Sequence, residues 1–353
     1  MKVVSVVGNR PQFVKAAPLV QALTGRCEHV LVHTGQHYDE ELSDVFFREL
    51  ALPPPDHSIE TGSGTHAEQT AAMMTGLEPL LARLRPDRVV VYGDTNSTLA
   101  ATLVAAKARD PIAHVEAGLR SYDRGMPEEV NRVVVDVLSD ILLCPSRTAV
   151  DNLAREGVTA GVHLVGDVMV DVARIFGPVA TARSRILTEL GVEPGGYGLL
   201  TVHRPVNTAE QGIQRLVEVL EAVELPLVFP VHPRTRAALH RAGLLHRAEA
   251  AAHLTGPLGY LDFTALLAAA SVCLTDSGGV QKEAYLHAVP CLTLRDTSEW
   301  VETIELGWNR LVPLAADEVA AALAEVARPA EHPPLYGDGH AAERIADIVL
   351  AGP

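Results

Sequence analysis

The stretch 275–283, Thr-Asp-Ser-Gly-Gly-Val-Gln-Lys-Glu, holds the residue types that bind an anion through backbone amides. An apolar run from Ala268 to Leu274 leads into Asp276, Ser277, Gly278 and Gly279, and a helical pattern follows through Leu286. A strand, a tight glycine turn and a helix start leave N–H groups without intrahelical partners at the positive end of the helix dipole. Phosphate or pyrophosphate suits such a place, and residues without Cβ let the backbone come close to it. Taken alone, the segment reads equally as a turn that ends a strand.

Other chemically capable residues also fall just after apolar runs. Gly8-Asn9-Arg10-Pro11-Gln12-Phe13-Val14-Lys15 sets Arg10 and Lys15 at a helix start, where cations oppose the dipole unless an anion is bound. Plain surface cations are the alternative. Asp94, in Gly93-Asp94-Thr95-Asn96-Ser97, is a reactive carboxylate or, like Asn96, a helix cap. Glu116 ends the run Ile112–Val115 ahead of Ala117-Gly118, a place less easily read as a solvated charge. Glu128 and Glu129 open a helix after Met126-Pro127, where the dipole alone accounts for them.

His203-Arg204 and His232-Pro233-Arg234 end two further runs. One such histidine is usually structural; two with adjacent guanidiniums point to phosphate binding or acid–base chemistry. No HxH, HExxH or DxD cluster suggests a metal, and Pro11 stands where a GxGxxG turn would cradle a dinucleotide, so no cofactor is expected. Carboxylates in one wall and His/Arg with Ser-Gly-Gly in the other suit loss or transfer of a phosphate-bearing group.

Positioning these groups takes a framework of short strands and amphipathic helices. Val3–Val7, His29–His33, Arg88–Tyr92, Ile112–Val115, Ile141–Cys144 and His163–Gly166 read as strands in the first half. Helical patterns cover Gln12–Leu23, Glu41–Leu50, Ala67–Leu84, Ser97–Ala106, Glu128–Leu138 and Thr148–Glu156. Gly198–Val202, Leu227–Val231, Ser271–Leu274 and Cys291–Leu294 repeat the pattern in the second half. Alternation of this kind predicts doubly wound parallel sheets, with sites at the carboxyl ends of the strands. At 353 residues, two Rossmann-like domains facing across a cleft are expected, 1–168 and 169–337. The segment 338–353 supplies a last helix, Ala341–Leu350, packing back on the first domain.

The formal net charge of -15 argues against nucleic acid or an anionic membrane as partner, so basic groups that serve an anion must be local. No apolar run is long enough to span a bilayer, and Met1 runs straight into a strand without a signal peptide. The four cysteines, at 27, 144, 273 and 291, lack metal-like spacing and read as free thiols of a cytoplasmic protein.

Together the motifs GNRPQFVK, HTGQHYD, YGDTNST, HVEAGLRS, MPEEVNR, PVHPR and LTDSGGVQKEA resemble the non-hydrolysing UDP-N-acetylglucosamine 2-epimerase family from Val6 to about Val312. The resemblance implies a glycosyltransferase-B-like fold, a homodimer and a UDP-sugar substrate. It implies anti elimination of UDP to a 2-acetamidoglucal, followed by re-addition. Asp94, Glu116 and Glu128 become the acid–base carboxylates, and His203 assists the departing diphosphate. Arg10, Lys15, Ser277, Gly278, Gly279 and Glu283 would hold UDP, Phe263 would pack on uracil, and His232 would add a further contact. Gln36 and Arg204, with His232, match a second, regulatory nucleotide-sugar site.

Some positions depart from the common motif: Gln12 replaces Glu, Val206 replaces Glu, Trp300 replaces Arg, and His37-Tyr38-Asp39 differs in the regulatory segment. Arg-Pro-Gln and Glu-Trp-Val-Glu resemble instead a sub-branch acting on UDP-2,3-diacetamido-2,3-dideoxyglucuronate. A glycosyltransferase-B transferase is a rival of another reaction class.

Overall fold

The structure is a computed structural model that describes residues 1–35, 47–62 and 64–351. Its contacts divide the chain into two units, Met1–Ile175 with Pro334–Pro353, and Phe176–Pro333.

In the N-terminal unit, strands β1 (Lys2–Val7), β2 (Glu28–His33), β3 (His57–Ser58), β4 (Arg88–Tyr92), β5 (Ile112–Val115), β6 (Ile141–Cys144) and β7 (Val162–Leu164) form one sheet. Its order is β3-β2-β1-β4-β5-β6-β7, and every pairing is parallel. The central strands form because β-branched residues fill both faces: Val3, Val4, Val6 and Val7 are wholly buried in β1, as are Val89, Val90 and Val91 in β4. Among their polar residues, Ser5 and Tyr92 satisfy each other. Ser5 Oγ lies 3.0 Å from Tyr92 Oη and 2.9 Å from His29 Nε2.

Helices close both faces of this sheet. Arg10–Leu23 starts with Pro11 in its first turn, and the Asn9 side chain accepts from Gln12 N at 3.3 Å. His66–Leu84 is opened by a capping box between Thr65 and Glu68, typically worth about 1 kcal/mol. Asn96–Ala108, Pro127–Leu138 and Arg147–Arg155 follow β4, β5 and β6. The final helix, Ala341–Leu350, packs against Arg10–Leu23 and buries Ile345, Ala346 and Val349. Asp171 caps it, accepting from the N–H groups of Ala341 at 3.1 Å and Ala342 at 3.0 Å.

The C-terminal unit repeats the plan. Strands β8 (Gly198–Thr201), β9 (Leu227–Pro230), β10 (His253–Thr255), β11 (Val272–Thr275), β12 (Cys291–Thr293) and β13 (Asn309–Leu311) lie in the order β10-β9-β8-β11-β12-β13, again all parallel. Leu200, Leu216, Val217, Phe229 and Leu274 sit at the centre of its core. Both units are thus Rossmann-like, as the alternating pattern predicted.

The strands β3, β10 and β13 were not foreseen. Each is two or three residues long, lies at a sheet edge and carries polar residues, so it lacks the apolar run that marks an inner strand. Of the helix expected at 41–50, residues 41–46 lie outside the described ones. The cysteines are free; Cys144, Cys273 and Cys291 are buried, and burial pushes the Cys144 thiol up to about 12. No helix among the described residues is long and apolar enough to cross a membrane.

Candidate functional site

In each sheet the chain reverses its direction of winding between two adjacent strands, β1 and β4 in one unit and β8 and β11 in the other. Ligands of this fold class bind outside the carboxyl ends of such strands. Arg10 and Lys15 follow β1, Asp94 follows β4, His203 and Arg204 follow β8, and Ser277, Gly278 and Gly279 follow β11, whereas Glu116 and Glu128 come after β5, His232 after β9 and Phe263 after β10.

After β4, Gly93 turns at φ +61, and Asp94 precedes a helix capped at Thr95. Neither Asp94 nor Asn96 is that cap. Instead Asp94 Oδ2 accepts from Arg132 Nε at 2.9 Å and Nη2 at 2.6 Å, and its carbonyl accepts from Asn131 Nδ2 at 2.9 Å. Arg132 donates with Nη1 to Glu129 Oε2 at 2.8 Å, so one guanidinium spans two carboxylates.

Glu128 and Glu129, adjacent in sequence, part ways. Glu129 is 2% exposed and also accepts from the N–H groups of Ser121 and Tyr122, both at 2.9 Å. Glu128 is half-buried and makes no hydrogen bond or ion pair with another described residue.

Glu116, delivered by β5, is buried and holds φ +73, left-handed backbone rarely taken by a residue with a side chain. Its Oε2 pairs with Lys15 Nζ. Gly93 lies against this pair: a Cβ there would stand 3.2 Å from each charged atom, and its positive φ also favours glycine.

Beneath these groups lies a buried hub. His114 has Nδ1 2.7 Å from Asp136 Oδ1 and Nε2 2.7 Å from the Gly93 carbonyl. Asp136 Oδ2 accepts from Gly118 N at 3.1 Å and Arg120 Nη1 at 2.7 Å. Burial alone would raise the Asp136 carboxyl; His114 and Arg120 outweigh it and hold it below the ordinary value. The hub joins the loops bearing Asp94 and Glu116 to the helix that bears Glu128. Arg10, at the start of its helix, is half-buried.

In the C-terminal unit, Asp276 plays the equivalent organising part. It is fully buried and accepts from His203 N at 3.1 Å, Arg204 N at 2.9 Å and Asn207 Nδ2 at 3.0 Å. His203 Nδ1 lies 3.2 Å from its Oδ1. Burial pushes the Asp276 carboxyl up, but His203 and these donors bring it below the usual range. Because a carboxylate only accepts, Nδ1 of His203 carries the proton and Nε2 is the nitrogen left for other chemistry. The His203 and His232 rings are 5.7 Å apart, and His232 Nδ1 accepts from Arg234 N at 3.1 Å.

The helix Gly278–Leu286 begins beside this dyad. Ser277 stands at its cap without a side-chain capping bond, and the N–H groups of Gly278, Gly279 and Val280 meet no acceptor among the described residues. First-turn amides left open in this way are suited to an anion. The segment 295–300 wraps the same turn. Trp300 Nε1 donates to the Gly278 carbonyl at 2.8 Å, and Lys282 Nζ sits 4.3 Å from the centre of the Trp300 ring. A Cβ on Gly278 would meet Glu299 Oε1 at 2.5 Å.

Glu283 and Phe263 are half-buried on neighbouring helices. Burial raises the Tyr260 hydroxyl, and the Glu283 charge adds to it. Gln36 lies outside the described residues. Glu129, Arg132, Asp136, Asp276 and Glu299 were missed as site builders by sequence reasoning. Their only signal is position, inside or beside motifs already singled out.

A family model for UDP-N-acetylglucosamine 2-epimerase matches residues 21–350. The chain is 42% identical over 355 residues to a UDP-N-acetylglucosamine 2-epimerase homolog of Methanococcus maripaludis, covering 99% of both sequences. It is also 42% identical over 364 residues to the UDP-2,3-diacetamido-2,3-dideoxy-D-glucuronate 2-epimerase of Pseudomonas aeruginosa, again covering 99% of both. Its structure is similar to the crystal structure of Methanocaldococcus jannaschii UDP-GlcNAc 2-epimerase in complex with UDP-GlcNAc and UDP, with a TM-score of 0.94, 38% identity and all of both chains covered. With the family model and these relatives matching nearly end to end, the chain belongs to the UDP-N-acetylglucosamine 2-epimerase family and is an isomerase by reaction class.

Proposed function

We propose that the protein inverts C2 of a UDP-2-acetamido sugar without hydrolysing it, converting UDP-GlcNAc to UDP-ManNAc. A carboxylate takes the C2 proton while the C1–O bond breaks and its electron pair leaves with UDP, creating a C1=C2 double bond. The step then runs in reverse with the proton delivered to the opposite face. Asp94, Glu116 and Glu128 are the acid–base groups.

His203, with Nε2 available, stabilises the departing diphosphate or hands it a proton. Ser277, Gly278 and Gly279 supply amide donors to that diphosphate, and Arg10 and Lys15 add positive charge. Lys15 exchanges Glu116 for the anion when it does so. Glu283 takes ribose hydroxyls, Phe263 packs on uracil, and His232 and Arg204 add polar contacts to nucleotide.

One observation carries this reading: a buried glutamate at φ +73, paired to a lysine over Gly93, in a member of this family. Strained backbone of that kind collects at reactive centres.

A second substrate, the diacetamido-glucuronate, is favoured by the 42% identity to the Pseudomonas enzyme. The Arg-Pro-Gln and Glu-Trp-Val-Glu segments resemble the same sub-branch, although two of their departing side chains are engaged within the protein. Gln12 spends all its polar capacity within the protein, and the Trp300 indole N–H is spent on Gly278.

Incubation of the purified protein with UDP-GlcNAc and, separately, with the diacetamido-glucuronate, followed by NMR, decides between them. In D2O, deuterium should enter C2 of the recovered sugar nucleotide. Turnover without C2 label would end the proton-abstraction mechanism, and release of free sugar would indicate a hydrolysing enzyme.

A further inference from the structure

His114 lies on β5, two residues before Glu116, and is wholly buried. Its Nδ1 is 2.7 Å from Asp136 Oδ1, and its Nε2 is 2.7 Å from the Gly93 carbonyl. A carbonyl only accepts, and Asp136 is held as a carboxylate, so each ring nitrogen must supply a hydrogen. A neutral ring would set a bare nitrogen against one of those two oxygens. The contacts therefore call for the doubly protonated, positively charged ring.

Its surroundings balance that charge. Asp136 Oδ2 accepts from Arg120 Nη1 at 2.7 Å, and Arg120 donates through Nε and Nη2 to Glu156 at 2.8 and 2.7 Å. Two cations alternate with two carboxylates from the Gly93 carbonyl to Glu156. Of the four side chains only Glu156 reaches solvent appreciably, at 31% exposure. Buried charges are tolerated when paired and hydrogen-bonded in this way. The series also runs past all three acids. Gly93 comes immediately before Asp94, His114 sits on the strand that delivers Glu116, and Asp136 lies about two turns beyond Glu128 on its helix.

We propose that His114 is a positioning residue, an imidazolium that pins the backbone just before Asp94 to the helix bearing Glu128. The roles of the acids rest on the function proposed above; the two-donor ring does not.

His114→Gln keeps a polar side chain but offers hydrogens from one atom only. With its NH2 on the Gly93 carbonyl, its oxygen faces Asp136. kcat should fall roughly tenfold to a hundredfold, while KM and UDP affinity stay within a few-fold. Adding Asp136→Asn gives that oxygen a donor, and kcat should recover several-fold relative to His114→Gln alone. Unchanged kcat in the single variant, or no recovery in the double, would overturn the positioning role.

Nitrogen-15 NMR reads the ring directly. In wild type His114 should show a bonded hydrogen on both nitrogens, and in Asp136→Asn its Nδ1 should lose one and accept from the new amide. A bare nitrogen in wild type, or two bonded hydrogens in Asp136→Asn, would overturn the proposal. This readout needs no turnover, so it decides the matter even if the wild type epimerises neither sugar nucleotide or His114→Gln does not fold.

Discussion

The two units share a parallel sheet and one reversal point, yet they prepare that point in opposite ways. In the N-terminal unit, cations are spent on carboxylates before any ligand arrives: Lys15 on Glu116, Arg132 on Asp94 and Glu129, Arg120 on Asp136. In the C-terminal unit one buried carboxylate, Asp276, gathers the surrounding donors, while the helix at Gly278 keeps its first amides open. The first arrangement fixes acids in place; the second leaves positive potential for a guest. Sheet topology chooses where a site lies, and the groups left unsatisfied by the loops choose its chemistry.

The largest expected effect tests this division directly. Glu116→Gln or Asp94→Asn should lower kcat by roughly 10²–10⁴-fold, the range for a lost general acid or base, while UDP affinity by calorimetry stays within a few-fold. Collapse of UDP binding in either variant would erase the contrast between the units.

Next comes Asp276→Asn, which places an NH2 group among four donors and frees the His203 ring. A fall in kcat of about tenfold to a hundredfold is expected, with a displaced pH–rate profile. An unmoved profile would reduce Asp276 to a loop anchor.

The smallest effect concerns stability in acid. Burial lowers His287, at the end of the Gly278–Leu286 helix, to about 4. An unfolded imidazole titrates near ~6.5, so between those values the unfolded chain takes a proton that the folded one refuses. Stability is complete above the upper value and declines toward the lower. His287→Gln should flatten this part of the Tm–pH curve by about 2–4 °C. An unchanged slope would shift the acid sensitivity to the depressed carboxyls of Asp136 and Asp276, lost only as pH falls further.

How far the sequence could be read follows from the range of the interactions. Inner strands such as Val3–Val7 announce themselves because burial on both faces forces a run of β-branched residues. His57–Ser58 and Asn309–Leu311 pair on one side only and carry no such mark. The placement of Asp94, Glu116, His203 and Ser277 just after strands was legible because each follows an apolar run.

Their partners were not legible. Lys15 and Glu116 lie 101 positions apart, and His203 and Asp276 lie 73 apart, distances at which no local pattern speaks. Glu128 and Glu129 show the limit at its shortest range. One helical step of about 100° sends one inward to Arg132 and leaves the other open, and only the packed helix reveals which.

The helix Ala341–Leu350 has a bearing on biosynthesis. Its apolar face fills a gap beside Arg10–Leu23, Arg344 donates to the Val165 carbonyl at 3.1 Å, and Asp347 meets Arg26 at 2.7 Å. Domains usually fold in the order in which they leave the ribosome. Here the half translated first must wait for residues translated after the other half is complete. A released chain truncated after residue 333 should hold a folded second half beside a protease-sensitive first half.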